Sequence, residues 1–292
     1  MRELFARQLE TALALPEGNQ FQFLIALTRS ILQHAAVSAV EYCASELDED
    51  DVELSSCARQ LLAPADGTPL EILDRTIPLI RSSGWGDCAV AWFEASSTRK
   101  GKGENLPLSR QVERWVKFRN DRPGHGVVDE ATMRDALVWM PGFAECLIEG
   151  LAEILPIRTS GKSELELEAP ERRLPIKTLR LIDDDAVVIR GITRRGSVWR
   201  VKYQTLHAYK SKEDTYEIGE SSPIVAQLGN RPRVYQSVHC RIGDSEWRPT
   251  ILLPQRQTVT FAGRREQLKE LSEWYSNADS RACLVYGEGG DW

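Results

Sequence analysis

The run "FQFLIALTRSILQHAAVSAVEYCASEL", Phe21 to Leu47, contains neither proline nor glycine and is apolar on nearly every side. Nothing in it stops a helix, so it predicts one long helix, and a helix without a polar face has to be covered all round. Arg29, Gln33 and His34 interrupt the run. No stretch therefore reaches the roughly 20 consecutive apolar residues of a membrane-spanning helix, and the run suits the centre of a helical bundle. The preceding "MRELFARQLE" is amphipathic and lacks the layout of a signal peptide, so the expected location is the cytoplasm, with no membrane contact.

Around that helix the chain keeps a helical grammar as far as residue 157. "PLEILDRTIPLIRSSG" predicts a helix ending at Gly84, "CAVAWFEAS" a short buried segment and "SSTRKGKGENLP" a loop. "LSRQVERWVKFRN" repeats Val112, Trp115, Val116 and, further on, Phe118 and Arg119 at the helical period. A further helix starts near Asp129, a good N-cap, and meets a Pro-Gly kink at Pro141 and Gly142. Trp85, Trp92, Trp115 and Trp139 sit in apolar helical contexts and are expected in the core.

The grammar changes after the hydrophilic 158–173, read as a linker. Residues 174–256 predict a small antiparallel β-domain. Strand-like runs are broken by the Asp183–Asp185 triplet and by Arg195-Gly196, which predicts a three-strand meander. Along "VWRVKYQT", Trp199, Val201, Tyr203 and Thr205 alternate with Arg200, Lys202 and Gln204, so one face is buried. Residues 257–292 read as a helix, a polar loop and an apolar strand entering a glycine-rich turn. The expected fold class is thus α+β and multidomain.

Composition narrows the chemistry. About two-fifths of the 292 residues are apolar, ordinary for a packed globular chain. The six cysteines form no C-x-x-C pair, and neither they nor the histidines have zinc-ligand spacing, so no metal site is expected. The "DEDD" at 48–51 lacks the glycine of a calcium loop. Between Arg172 and Lys212, eleven Lys or Arg face three Asp, a local +8 that leaves the rest of the chain at −14 of the total −6. Arg190, Arg194, Arg195, Arg200 and Lys202 are therefore candidates for contacting nucleic acid, against the plainer reading of a solvated face opposite a core face. His207 and His239 have no second ligand nearby and read as structural.

Two places carry more specific letters. A buried strand, "ACLVY", entering Gly287, Glu288, Gly289 and Gly290 is how a phosphate-binding loop begins, with backbone N–H groups turned towards a phosphate. With the preceding "FAGR" and helix, it resembles the start of the nucleotide-binding module of the signal-transduction ATPases with numerous domains, the STAND group, which includes NB-ARC- and NACHT-like proteins. The pattern G-x-x-x-x-G-K-[ST] is unfinished, because Trp292 stands where its second glycine belongs. By itself the chain is expected not to hydrolyse ATP. ATP and Mg are expected cofactors only of a longer protein, whose remaining ATPase and sensor domains would be partners.

The other place is "KFRNDRPGHGVVDE". Arg119 and His125 are six positions apart at a helix junction, with Asn120 after the arginine. In an all-α bundle this resembles the R-x(4-6)-H motif of the HEPN superfamily, whose active members are metal-independent ribonucleases pairing two motifs across a homodimer. The resemblance implies catalytic roles for Arg119, Asn120 and His125, RNA as substrate and a homodimer or higher oligomer. The resemblance to the regulatory ATPases implies in turn that the helical domain is an effector in bacterial antiphage defence or signalling. The same letters also read as helix punctuation, with Pro123 ending one helix and Gly124 and Gly126 giving turn freedom, and then the bundle is a non-catalytic docking or dimerisation module.

Overall fold

The computed structural model describes residues 1–46, 52–81, 85–94, 106–121, 129–159, 163–169, 172–207 and 213–229. All of them fall in one compact unit, Met1–Gln236. The predicted strands beyond residue 229, the helix and glycine-rich turn of 257–292, Cys240, Cys283 and His239 lie outside the described residues.

The chain order is α1 (Arg2–Leu13), α2 (Glu17–Glu46), α3 (Val52–Gln60), α4 (Thr68–Arg81), α5 (Gly86–Phe93), α6 (Leu108–Asp121) and α7 (Glu130–Gly150). Then come β1 (Ile157–Arg158), β2 (Glu164–Glu168), β3 (Arg173–Arg180), β4 (Val187–Arg195), β5 (Val198–Thr205), β6 (Asp214–Ile218) and α8 (Pro223–Gly229). Mixed helix and antiparallel sheet is what the sequence led one to expect.

α2 is the axis of the fold. It is buried almost without interruption from Phe23 to Cys43, because α1, α4, α7, α8, β3 and β4 all pack against it. It is also the one described helix long and apolar enough to cross a membrane, yet 94% of its apolar window is buried inside the fold. Its polar residues bind strand backbone. Ser30 Oγ donates to Val187 O at 2.8 Å, and Gln33 exchanges two hydrogen bonds with Ile189, through Ile189 O at 3.0 Å and Ile189 N at 2.7 Å. Glu41 accepts from Lys177 N at 2.7 Å and Thr178 N at 2.8 Å. A buried polar group is tolerable when it is hydrogen-bonded, and here each such bond ties the helix to a strand.

These bonds join the helices to the strands within one compact unit. Residues 158–173 contain β2 and the end of β1, and β1-β2-β3 form one antiparallel sheet. The reason lies in "ELELE": Leu165 and Leu167 are wholly buried while Glu164 and Glu168 face solvent, so the acidic letters conceal a period of two. The three-strand meander is β4-β5-β6, with β3 in the other sheet. Helices and strands share one continuous hydrophobic core.

The predicted breaks are turns. Asp183 and Asp184 both have positive φ, 48° and 61°, and they close a bridge between Ile182 and Asp185, as in the tight turns that favour short polar residues. Gly196, at φ 63°, and Ser197 connect Arg195 to its partner Val198. Along β5, Val201 and Tyr203 are buried and Lys202 exposed, as the alternation predicts. α7 runs through Pro141 unbroken rather than dividing there. Trp85, Trp92 and Trp115 are core residues, but Trp139 is 37% exposed. It meets Phe118 and Phe143 at ring-centroid distances of 5.5 and 5.9 Å, so the helix junction covers only part of its ring.

Candidate functional site

α6 buries Leu108, Val112, Trp115 and Arg119, spaced four, three and four residues apart along one face. At the fourth position of this stripe the repeat asks for an apolar residue and the sequence supplies an arginine. What makes that tolerable is Asp66, in the loop between α3 and α4. Arg119 Nε donates to Asp66 Oδ2 at 3.1 Å. Arg29, from α2, grips the same carboxylate with both arms of its fork: Nη2 donates to Oδ2 at 2.6 Å and Nε to Oδ1. The side chains of Arg119, Asp66 and Arg29 are only 9, 13 and 15% exposed.

Burial alone would raise the Asp66 carboxyl, but the Arg29 hydrogen bonds and charge, with Arg119 behind them, hold it below its ordinary value. Asp66 is thus a carboxylate, and removing one partner from such a buried pair costs about 3–5 kcal/mol. Because the Nε edge of Arg119 is committed to Asp66, an incoming anion would be met through the Nη groups.

Asn120 is exposed at the end of α6. α7 starts where the sequence predicts: Asp129 Oδ1 accepts from Thr132 N at 2.8 Å and its Oδ2 accepts from Thr132 Oγ1 at 2.7 Å. His125 falls between the two helices, outside the described residues, as do Gly287, Glu288, Gly289 and Gly290. Beside the junction, α6 and α7 enclose a groove of about 370 Å³, bordered by Arg114, Lys117, Phe118 and Asp121 from α6 and by Asp135 and Trp139 from α7.

The five basic candidates of the sheet are not presented as one row. Arg190 donates to Gln204 Oε1 through Nε and Nη2, at 2.8 and 2.6 Å. Arg200 pairs with Glu217 at 2.8 Å, and Arg194 lies over the Trp199 ring at 5.5 Å. Arg195 and Lys202 are exposed. His207, with its side chain 63% exposed, lies with Nδ1 2.9 Å from Asp185 Oδ2. Among the described residues, no three His, Cys, Asp or Glu side chains converge as metal ligands.

Sequence reasoning missed Asp66 and Arg29. "APADGTP" reads as a turn, and an aspartate before glycine is ordinary turn chemistry. Arg29 was legible only as a polar interruption of α2. Comparison with protein-family models, curated proteins and solved structures finds no match to the chain.

Proposed function

We propose that the chain is the N-terminal effector and regulatory region of a STAND-type P-loop ATPase, acting in the cytoplasm in bacterial antiphage defence or signalling. Its helical part would carry an HEPN-type, metal-independent ribonuclease centre. The observation that carries this reading is the buried arginine on the apolar stripe of α6. A well-packed apolar residue there would cost less desolvation than an ion-paired guanidinium, so stability alone is a poor reason for Arg119. Holding a guanidinium in one orientation, at the base of the segment that bears His125, is a better one.

In this reading His125 takes the proton of a ribose 2′-OH as its oxygen attacks the adjacent phosphorus. Arg119 stabilises the added negative charge on the phosphoryl oxygens, and Asn120 orients the reacting groups. The bond from phosphorus to the next nucleotide's 5′-oxygen then breaks, and that oxygen leaves with a proton. Two copies would pair their motifs in a homodimer, and ATP with Mg would act in the full-length protein through a loop that begins at Gly287.

The test is RNA cleavage by the purified chain and by Arg119→Ala and His125→Ala, with folding checked by circular dichroism. Loss of cleavage in both folded variants supports the centre. Cleavage at the parental rate in either would remove it.

A second reading, a non-catalytic docking or dimerisation module, is favoured by the half-exposed Trp139 beside Val138, which is 84% exposed. Under it, Trp139→Ala weakens self-association in sedimentation velocity and Arg119→Ala has no effect on any RNA.

A further inference from the structure

We infer that the loop of residues 61–67 is the element that orients the Arg119 guanidinium, with Asp66 as the positioning residue and β4 as the anchor of the loop. The inference rests on the ribonuclease reading of Arg119 and adds to it a route by which the sheet governs that site.

The loop is clamped at both ends. At its far end Asp66 is held by Arg29 and in turn holds Arg119. A Cβ added at Gly67 would lie 3.6 Å from Val116 Cγ1, an ordinary contact, so the loop rests on α6 one turn before Arg119. Between the ends it closes on itself: Ala65 N donates to Thr68 Oγ1 at 3.0 Å and Thr68 N to Ala65 O at 3.1 Å. At its near end Leu62 O accepts from Ile192 N of β4 at 3.2 Å.

That last contact depends on a glycine. The β4–β5 register shifts between Ile189 and Gly191, and a Cβ at Gly191 would lie 2.6 Å from Leu62 O. The neighbour is backbone, so no rotamer change relieves the overlap, and either β4 or the loop must move. A displacement of β4 is thus passed over five residues, Leu62 to Asp66, to a hydrogen bond on Arg119. β4 is itself fixed to α2 by Gln33 and Ser30, so the loop and the helix share one reference surface. Arg119 can then be misaligned by a change that touches neither RNA nor any charged group.

The experiment compares Asp66→Asn, which keeps the shape and removes the charge, with Gly191→Ala, which leaves every charge in place. Two readouts are taken: kcat and KM on a single-stranded RNA, and the NMR signal and solvent exchange of the Arg119 Nε–H, assigned by its loss in Arg119→Ala. Misplacement by about 1 Å is worth about a hundredfold in rate, so both variants should lower kcat by about that factor, leave KM nearly unchanged and speed Nε–H exchange. If Asp66→Asn does not fold, Gly191→Ala carries the test alone. Parental kcat and Nε–H exchange in the folded variants, with Arg119→Ala inactive, would overturn the inference and leave the ribonuclease reading standing. If Arg119→Ala cleaves like the parent, the ribonuclease reading is the one that fails. Nε–H exchange then decides the positioning by itself: faster exchange in the variants supports it and unchanged exchange overturns it.

Discussion

Glu41 makes stability depend on pH in a direction opposite to most carboxylates. Its side chain is wholly buried on α2, and its partners come from a flaw in a ladder. β2 pairs Leu165 with Ile176 and Glu164 with Arg180, so Lys177, Thr178 and Leu179 fall between paired positions, and Glu41 accepts the N–H groups of the first two. Burial pushes the carboxyl from about 4.5 up to about 7, the donated hydrogen bonds of Thr178 and Lys177 and the Lys177 charge pulling the other way without prevailing. Other polar or charged groups nearby are Ser222, whose Oγ lies 2.8 Å from Thr178 Oγ1, Tyr216, which donates to Thr178 O, and Arg180, which lies over the Tyr216 ring. Below about pH 4.5 Glu41 is neutral in the folded and unfolded chain alike. Between 4.5 and 7 only the unfolded chain releases the proton, so stability falls as pH rises, and above 7 the loss is complete. At 1.36 kcal/mol per pKa unit the shift corresponds to about 3 kcal/mol. Denaturant unfolding of the parent and of Glu41→Gln at half-unit steps from pH 4.5 to 8 isolates this contribution, because every other group titrates in both proteins. The variant trades one acceptor oxygen for an amide, at a fixed cost of about 1–3 kcal/mol for an N–H left unpaired. The parent should be the more stable by about 1–3 kcal/mol at pH 4.5 and lose about 3 kcal/mol relative to the variant by pH 7, so that the two curves meet or cross. A gap independent of pH would mean that the two N–H groups hold Glu41 as an ordinary carboxylate, and the reasoning from burial would be wrong.

Two stability tests bear on the helices that frame the site. Asp129→Ala removes the acceptor of Thr132 N and should cost about 1 kcal/mol, read as a lower denaturant midpoint with unchanged slope. Trp115 is fully buried, with no partner for its indole N–H among the described residues, and Trp115→Ala should cost about 3–5 kcal/mol. Trp115→Phe should cost far less, under about 1.5 kcal/mol, because the lost volume is offset by removing an unsatisfied donor. Equal losses for the two Trp115 variants would show that the indole N–H has a partner.

What could be read from the sequence is what depends on neighbours in the chain. The central helix, the stripe on α6, the Asp129 cap and the turns at Asp183-Asp184 and Gly196 each follow from a local period or a local dihedral demand, and each is in the structure. β2 is legible in principle, since Leu165 and Leu167 alternate with glutamates, but its charge density has the composition of a linker. The assignment of β3 to the β1–β2 sheet was not legible, because either neighbouring strand satisfies the same local pattern.

The candidate site divides along the same line. Arg119 can be singled out from the sequence, six positions before His125 at a helix junction. Asp66 cannot, because it stands 53 residues away, in a loop whose letters a plain turn explains equally well. Glu41 shows why the difference is physical. A lone acid inside an apolar helix announces that some donor must meet it, but the donors are backbone N–H groups exposed by a bulge 136 residues later, where any residue but proline would leave the same N–H in place. Sequence therefore marks the buried charge and conceals its partner whenever the partner is backbone or a loop carboxylate. Here the partners decide the chemistry: without Asp66 the Arg119 guanidinium would be an uncompensated buried charge, and with it the group is fixed in one direction at the junction that leads to His125.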